Sequence, residues 1–124
     1  MIDLKRDAVA FLEAIIRGDI AQAYETYVAD GCIHHNPYFK GDMATLQAGM
    51  EESHIQSPDK VYEVKHVLQD GNMVAVHAFM KQNKADKTSG TVVHMFRFNE
   101  AGKVVEFWDV AQFVEEIINE NGLH

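Results

Sequence analysis

Apolar residues recur at three- and four-residue spacing from Leu4 to Ile16, at Leu4, Ala8, Phe11, Leu12, Ile15 and Ile16. That is the period of an amphipathic helix. Asp3 stands where it can accept the first free amide protons, and Gly18 can close the last turn. Asp19 is positioned to cap a second, shorter helix from Ile20 to Tyr27, with Ala23, Tyr24 and Tyr27 on one face. The stretch Val28 to Pro37 reads as a turn and an extended piece, because the residue before a proline is pushed out of the helical region. Asp42 can open a third helix, Met43 to about His54, whose apolar stripe is Met43, Leu46 and Met50, and Ser57-Pro58-Asp59 stops it.

Beyond Pro58 the period changes to two. Lys60 to Gln69 alternates apolar and polar residues, Asp70-Gly71-Asn72 is a tight-turn signal, and a second arm runs from Met73 to about Gln82. A polar loop leads to a strand from Thr91 to Phe98, Asn99 to Gly102 turns the chain, and Lys103 to Ala111 forms the last strand. Phe113 to Asn119 reads as a short terminal helix or tail. Helices first and an antiparallel meander afterwards predict one α+β domain over residues 1–124, with helices covering one face of a curved antiparallel sheet.

Composition narrows the classes of partner. Hydrophobic residues are 47% and charged residues 24% of the 124, near the globular average. Eleven Lys and Arg against 19 Asp and Glu leave a net charge of −8, a field that repels nucleic acid and anionic lipid. No apolar run approaches the roughly 20 residues that span a bilayer, and the opening MIDLKRDAVAF is unlike a secretory signal. A lone cysteine, Cys32, agrees with a reducing cytoplasm and can form neither an intrachain disulfide nor a zinc cage. The expectation is a cytoplasmic protein with no metal and no organic cofactor.

Chemistry is sought where ionisable groups interrupt apolar strand faces, since an unpaired polar group there is costly. His94 shares a face with Val92, Phe96 and Phe98; Asp109 shares one with Val105, Phe107 and Ala111. A four-residue turn pairs Phe98 with Lys103 and makes His94 and Asp109 diagonal neighbours, which a one-residue bulge would separate. Spacing alone leaves two readings, a self-satisfied His-Asp hydrogen bond or an acid/base pair. In His34-His35-Asn36-Pro37 only one histidine can face a pocket, because neighbours in an extended segment point opposite ways. His77 interrupts Met73, Ala75 and Phe79 and is a further candidate, while His54, His66 and His124 carry no usable signal. Trp108, Val93, Met95, Val104 and Val110 make the opposite sheet face apolar enough to predict a homodimer through it.

These residues resemble the SnoaL-like proteins of the nuclear transport factor 2-like superfamily, whose cystatin-like fold is a cone of helices on a strongly curved antiparallel sheet. The resemblance spans nearly the whole chain. It rests on the helical opening, His35-Asn36-Pro37, the Asp70-Gly71 hairpin with Val74 to His77, and above all the run Phe96 to Gln112, similar to the family pattern "FR-x-GKIVEHWDVIQ". Asn119-Glu120-Asn121-Gly122 is similar to the ends of bacterial members described as predicted aldol-condensation enzymes. The resemblance implies a pocket inside the cone with Asp109 as general acid/base beside His94. The chain departs from its bacterial look-alikes at His94, where they carry aspartate, and at Phe107, where they carry histidine.

The expected function is cofactor-free acid/base chemistry, of the aldol, cyclisation or isomerisation type, on a small apolar carbonyl compound. Asp109 would take a proton beside the carbonyl while His94 or His35 donates to the enolate oxygen. His77, Asn36, Tyr24, Tyr27, Phe96 and Phe107 are the expected substrate-binding residues. The rival readings are a non-catalytic binding or assembly module and an epoxide-hydrolase-like enzyme in which Asp109 activates water.

Overall fold

The structure, a computed structural model, describes residues 2–124. Three helices, α1 (Leu4–Arg17), α2 (Ile20–Tyr27) and α3 (Met43–Gln56), cover a sheet of five strands: β1 (Val28–His34), β2 (Val61–Asp70), β3 (Met73–Lys81), β4 (Ser89–Phe98) and β5 (Val104–Val114). The fold is α+β, as the pattern predicts. Among the described residues no helix is long and apolar enough to cross a membrane.

Local chemistry accounts for the helix ends. The Asp3 carboxylate accepts from the Arg6 amide at 3.1 Å, and Gly18 closes α1 at φ 94° with its amide on α1's last carbonyls. Asp42 caps α3 by accepting from both the amide and the hydroxyl of Thr45. Asp19 makes no capping bond to α2; its carboxylate takes the Arg17 guanidinium at 3.2 Å instead.

The strand order is β1-β5-β4-β3-β2. Strands β2 to β5 form the antiparallel meander read from the sequence, but the segment after α2 adds a fifth strand, β1, parallel to β5. The sheet is therefore mixed. The predicted terminal helix is absent, because Phe113 and Val114 continue β5 opposite Gly90 and Ser89. A Cβ at Gly90 would lie 2.3 Å from the Phe113 ring, so the missing side chain is what lets that ring lie on the strand.

One sheet face is the core. Val74, Val76 and Ala78 of β3 alternate inward with Val92, Phe96 and Phe98 of β4, the period-two pattern of a half-buried strand. Phe11 of α1 lands among the aromatic rings, stacked on Tyr24 at 5.6 Å and edge-on to Phe96 at 5.8 Å and Phe107 at 6.4 Å. Two bulges bend the antiparallel strands, as an extra unpaired residue does. One inserts Lys65 into β2, so Tyr62 and Val64 before it and Val67 after it all pack toward the core.

The other bulge, in β5, sets the site. Phe98 pairs with Val104 rather than Lys103, a register that alone would put Trp108 across from His94. Val105 is then the extra residue, so Arg97 meets Glu106 and His94 stands directly opposite Asp109. The bulge joins this pair rather than separating it. It also turns Val104, expected on the outer face, fully into the core.

Candidate active site

A cavity of about 590 Å³ lies between the helices and the inner sheet face. Leu12, Ile15 and Ile16 of α1 and Met50 of α3 form its apolar roof, and Tyr62, Val92, His94, Asp109 and Ala111 come from the strands. The segment Asn36 to Phe39, which follows β1, closes one side. Three rings of its wall sit on glycines: a Cβ would come within 2.3 Å of His54 at Gly18, 2.2 Å of Phe39 at Gly49 and 2.3 Å of Phe113 at Gly90. Replacing Gly90 by alanine is expected to leave stability within about 1 kcal/mol, since only a movable side chain is met, yet to displace Phe113 and change ligand affinity. Titration calorimetry with a ketone ligand and thermal unfolding together check this.

Asp109 and Asn36 form the polar centre. Asn36 Nδ2 donates to Asp109 Oδ2 at 2.7 Å, and Asn36 Oδ1 accepts from the Tyr38 amide at 3.0 Å, which fixes the amide's orientation. Asp109 Oδ1 is buried with no hydrogen-bond partner among the described residues. An unsatisfied buried carboxylate oxygen is rare and calls for an explanation. Tyr24 lies close enough that its pKa is raised, by burial first and by the Asp109 charge second.

His94 faces the same cavity. Its Nδ1 is 3.3 Å from the Tyr62 hydroxyl, and its ring stacks on Phe96 at 6.4 Å. Burial pulls the His94 pKa below the ordinary 6.5, although Asp109 across the ladder pulls it up. The ring is therefore neutral at pH 7. Between the lowered value and 6.5 the unfolded chain binds more protons than the folded one, so stability is expected to fall as pH drops below about 6.5. Urea unfolding at about pH 7.5 and about pH 5.5 reads this. A His94→Gln chain with an undiminished loss would remove His94 as its source.

Of the residues singled out from the sequence, the structure gathers Asp109, His94 and Asn36. It does not bring His35 to them. His34 pairs with Phe107 and turns inward, so His35 turns out, stacked on Trp108 at 5.1 Å with Nε2 2.7 Å from Glu106 Oε2. The His35 hydrogen bond, with Arg97 beside it, holds Glu106 below the usual carboxylate range. His34 is itself satisfied: Nδ1 accepts from the Asn36 amide, so Nε2 carries the proton and donates to the Lys40 carbonyl at 2.7 Å. His77 also faces outward, with Nδ1 3.0 Å from His66 Nδ1 and Nε2 2.8 Å from Thr91 Oγ1. Tyr24, Phe96 and Phe107 pack in the core beside the cavity rather than lining it, and Tyr27 leans on Phe11 at 6.1 Å. Cys32 is buried and its thiol is pushed up to about 11 by burial, so it stays protonated.

Sequence reasoning missed Tyr62, His54 and Lys60, all of which line the cavity. Tyr62 had a visible signal, an aromatic on an alternating strand, but its reach to His94 crosses β3 and no local pattern records that. The outer face is also less apolar than read, since Val104 lies inside and the Trp108 ring is flanked by His35 and by Arg97 at 5.8 Å.

A helix-covered cavity over a bent sheet, with a carboxylate residue in its wall, is a small-molecule site by architecture. The chain belongs to the SnoaL-like family, whose domain model matches residues 8–107. AclR of Streptomyces galilaeus, named as a proposed hydroxylase, superposes with a TM-score of 0.73 at 24% identity, over 88% of this chain and 88% of that one. A SnoaL-like polyketide cyclase of Agrobacterium tumefaciens gives 0.71 at 18% identity, over 90% and 93%. A nuclear transport factor 2-like protein of unknown function from Cytophaga hutchinsonii gives 0.71 at 12%, over 90% and 92%. At these identities the likeness shows the fold. Among curated proteins none matches the chain.

Proposed function

We propose that this SnoaL-like protein is an enzyme that moves a proton at the carbon beside a carbonyl, with Asp109 as general base. The observation that carries the reading is the state of the Asp109 carboxylate: Oδ2 is pinned by Asn36, Oδ1 is buried without a donor, and the residue lines a largely apolar cavity. A base held in one orientation, with one oxygen left free of any donor, is the arrangement that proton abstraction needs.

The step runs as follows. Asp109 Oδ1 takes the proton from the α-carbon, and the C–H electron pair becomes the enolate π bond while the carbonyl oxygen takes the negative charge. Tyr62, whose own pKa is raised by burial, keeps its proton and donates to His94 Nδ1, leaving the single imidazole proton on Nε2 to meet the enolate oxygen. Return of the proton from Asp109 to another carbon completes an isomerisation; attack of the enolate carbon on a second carbonyl breaks that C=O π bond, and its oxygen takes the proton back from Asp109 to complete an aldol or cyclisation.

Exchange of α-protons for solvent deuterium in a panel of aryl-alkyl ketones, followed by proton NMR, tests the reading. Accelerated exchange that vanishes in Asp109→Asn supports it, and equal exchange in the two proteins overturns it. The Asn36–Asp109 contact also suits orienting a water for epoxide opening. Consumption of styrene oxide without ketone exchange would favour that second reading.

A further inference from the structure

One charged group in the cavity wall takes no part in this chemistry. Lys60 stands between α3 and β2, and its ammonium donates to two carbonyl oxygens at the end of α3, Ser53 at 3.1 Å and Ser57 at 3.0 Å. An ammonium has three N–H groups, so one remains. Among the described residues no carboxylate comes within ion-pair distance of it; the paired cations are Arg6, Arg17, His35, Lys65 and Arg97. Burial lowers the Lys60 pKa, the mark of a charge whose lost hydration is incompletely replaced.

The two carbonyl bonds give this side chain a fixed position. They hold a normally mobile cation at the C-terminal end of a helix dipole, so its place in the wall is set before a ligand arrives. It directly precedes β2, whereas Asp109 lies on β5, and β3 and β4 separate those two strands in the sheet. His54, seated against Gly18, is a further polar ring in the wall. The cavity is thus bipolar, with a carboxylate base on one side, a cation on the other and apolar residues between.

We infer that the ligand is an oxo acid, whose carboxylate docks on Lys60 Nζ while its carbonyl end reaches Asp109 and His94. Only the second half of that orientation rests on the proposed chemistry; the carboxylate preference rests on Lys60. The net charge of −8 would by itself disfavour an anionic ligand, so a preference for one has to come from the cavity.

The test is a matched pair of probes of nearly the same shape, 3-phenylpropanoate and the neutral 4-phenylbutan-2-one, titrated calorimetrically into the full chain, Lys60→Met and Lys60→Arg. The parent should bind the carboxylate at least about tenfold more tightly than the ketone, as a charge-assisted bond to an ammonium already held in place allows. Lys60→Met should lose that margin with the ketone affinity unchanged, and Lys60→Arg, which keeps the charge, should retain most of it. Equal affinities in the parent, no binding of either probe, an unchanged carboxylate affinity in Lys60→Met, or equal weakening of both probes there would each overturn the inference. Because the readout is binding, failure of Asp109 as a base leaves it intact, and loss of the carboxylate preference leaves the Asp109 reading to its own exchange experiment.

Discussion

Asp109→Asn is expected to fold like the parent and to lose about 10²- to 10⁴-fold in α-proton exchange, the range that a positioned general base contributes. The substitution is nearly isosteric. Its amide oxygen can still accept from Asn36 Nδ2, so the 2.7 Å bond that ties β5 to the segment after β1 survives. What disappears is the lone pair at the position of Oδ1, which has no other partner to lose. Stability should therefore stay within about 2 kcal/mol of the parent, because replacing a buried carboxylate oxygen that lacks a donor is offset by amide protons left without an acceptor at the same position. Asn36→Ala is the informative companion. It leaves both carboxylate oxygens without that donor, so rate and stability should fall together, whereas Asp109→Asn separates them. Comparable rates in parent and Asp109→Asn would end the general-base reading whatever the stability.

Phe11→Ala is expected to cost about 3–5 kcal/mol, the range for truncating a well-packed buried aromatic. Phe11 is 3% exposed and its ring meets Tyr24, Tyr27, Phe96 and Phe107, so one side chain ties α1 to α2, β4 and β5. The loss should also reach the cavity. Leu12, the next residue, lines it, Phe96 stacks with His94, and Phe107 lies two positions before Asp109. Chemical denaturation gives the stability change. Phe11→Leu serves as the milder control, with a cost below that of alanine because more of the volume stays filled. A cost under about 1 kcal/mol for Phe11→Ala would mean that the aromatic cluster is not the keystone of the core.

The parts of the fold that were legible are those written in local period. The three helices start and stop within a few residues of their predicted ends, because capping aspartates, a closing glycine and a three-to-four-residue apolar stripe act over one or two turns. The meander was legible because alternation records which side of a strand meets the core. The failures fall where the deciding contact is remote. β1 carries a weak strand pattern and becomes a strand only because β5 returns beside it. Phe113 leaves the predicted terminal helix because Gly90, more than twenty positions earlier, offers its ring a seat.

The candidate site divides in the same way. That His94 and Asp109 are polar interruptions of apolar faces is a property of the chain, and strand period was enough to single out both; Asn36 came with the His35-Asn36-Pro37 motif of the family resemblance. Whether those faces coincide depends on the β4–β5 turn and the bulge at Val105, which together reset the register so that the two residues meet. His35 and His77 carried the same chemical promise, yet pairing with β5 and β4 turns both to the outer face. Tyr62 and Lys60 carried no local mark, and reach the cavity through a side chain that crosses a strand and an ammonium held by the end of α3. The sequence by itself thus determined the fold class, the three helices, the four-stranded meander and the identity of the buried acid, because burial period and side-chain chemistry are encoded residue by residue. Only the tertiary structure decided which polar groups share one cavity, because a single inserted residue reverses the face of everything beyond it and no local signal counts such insertions.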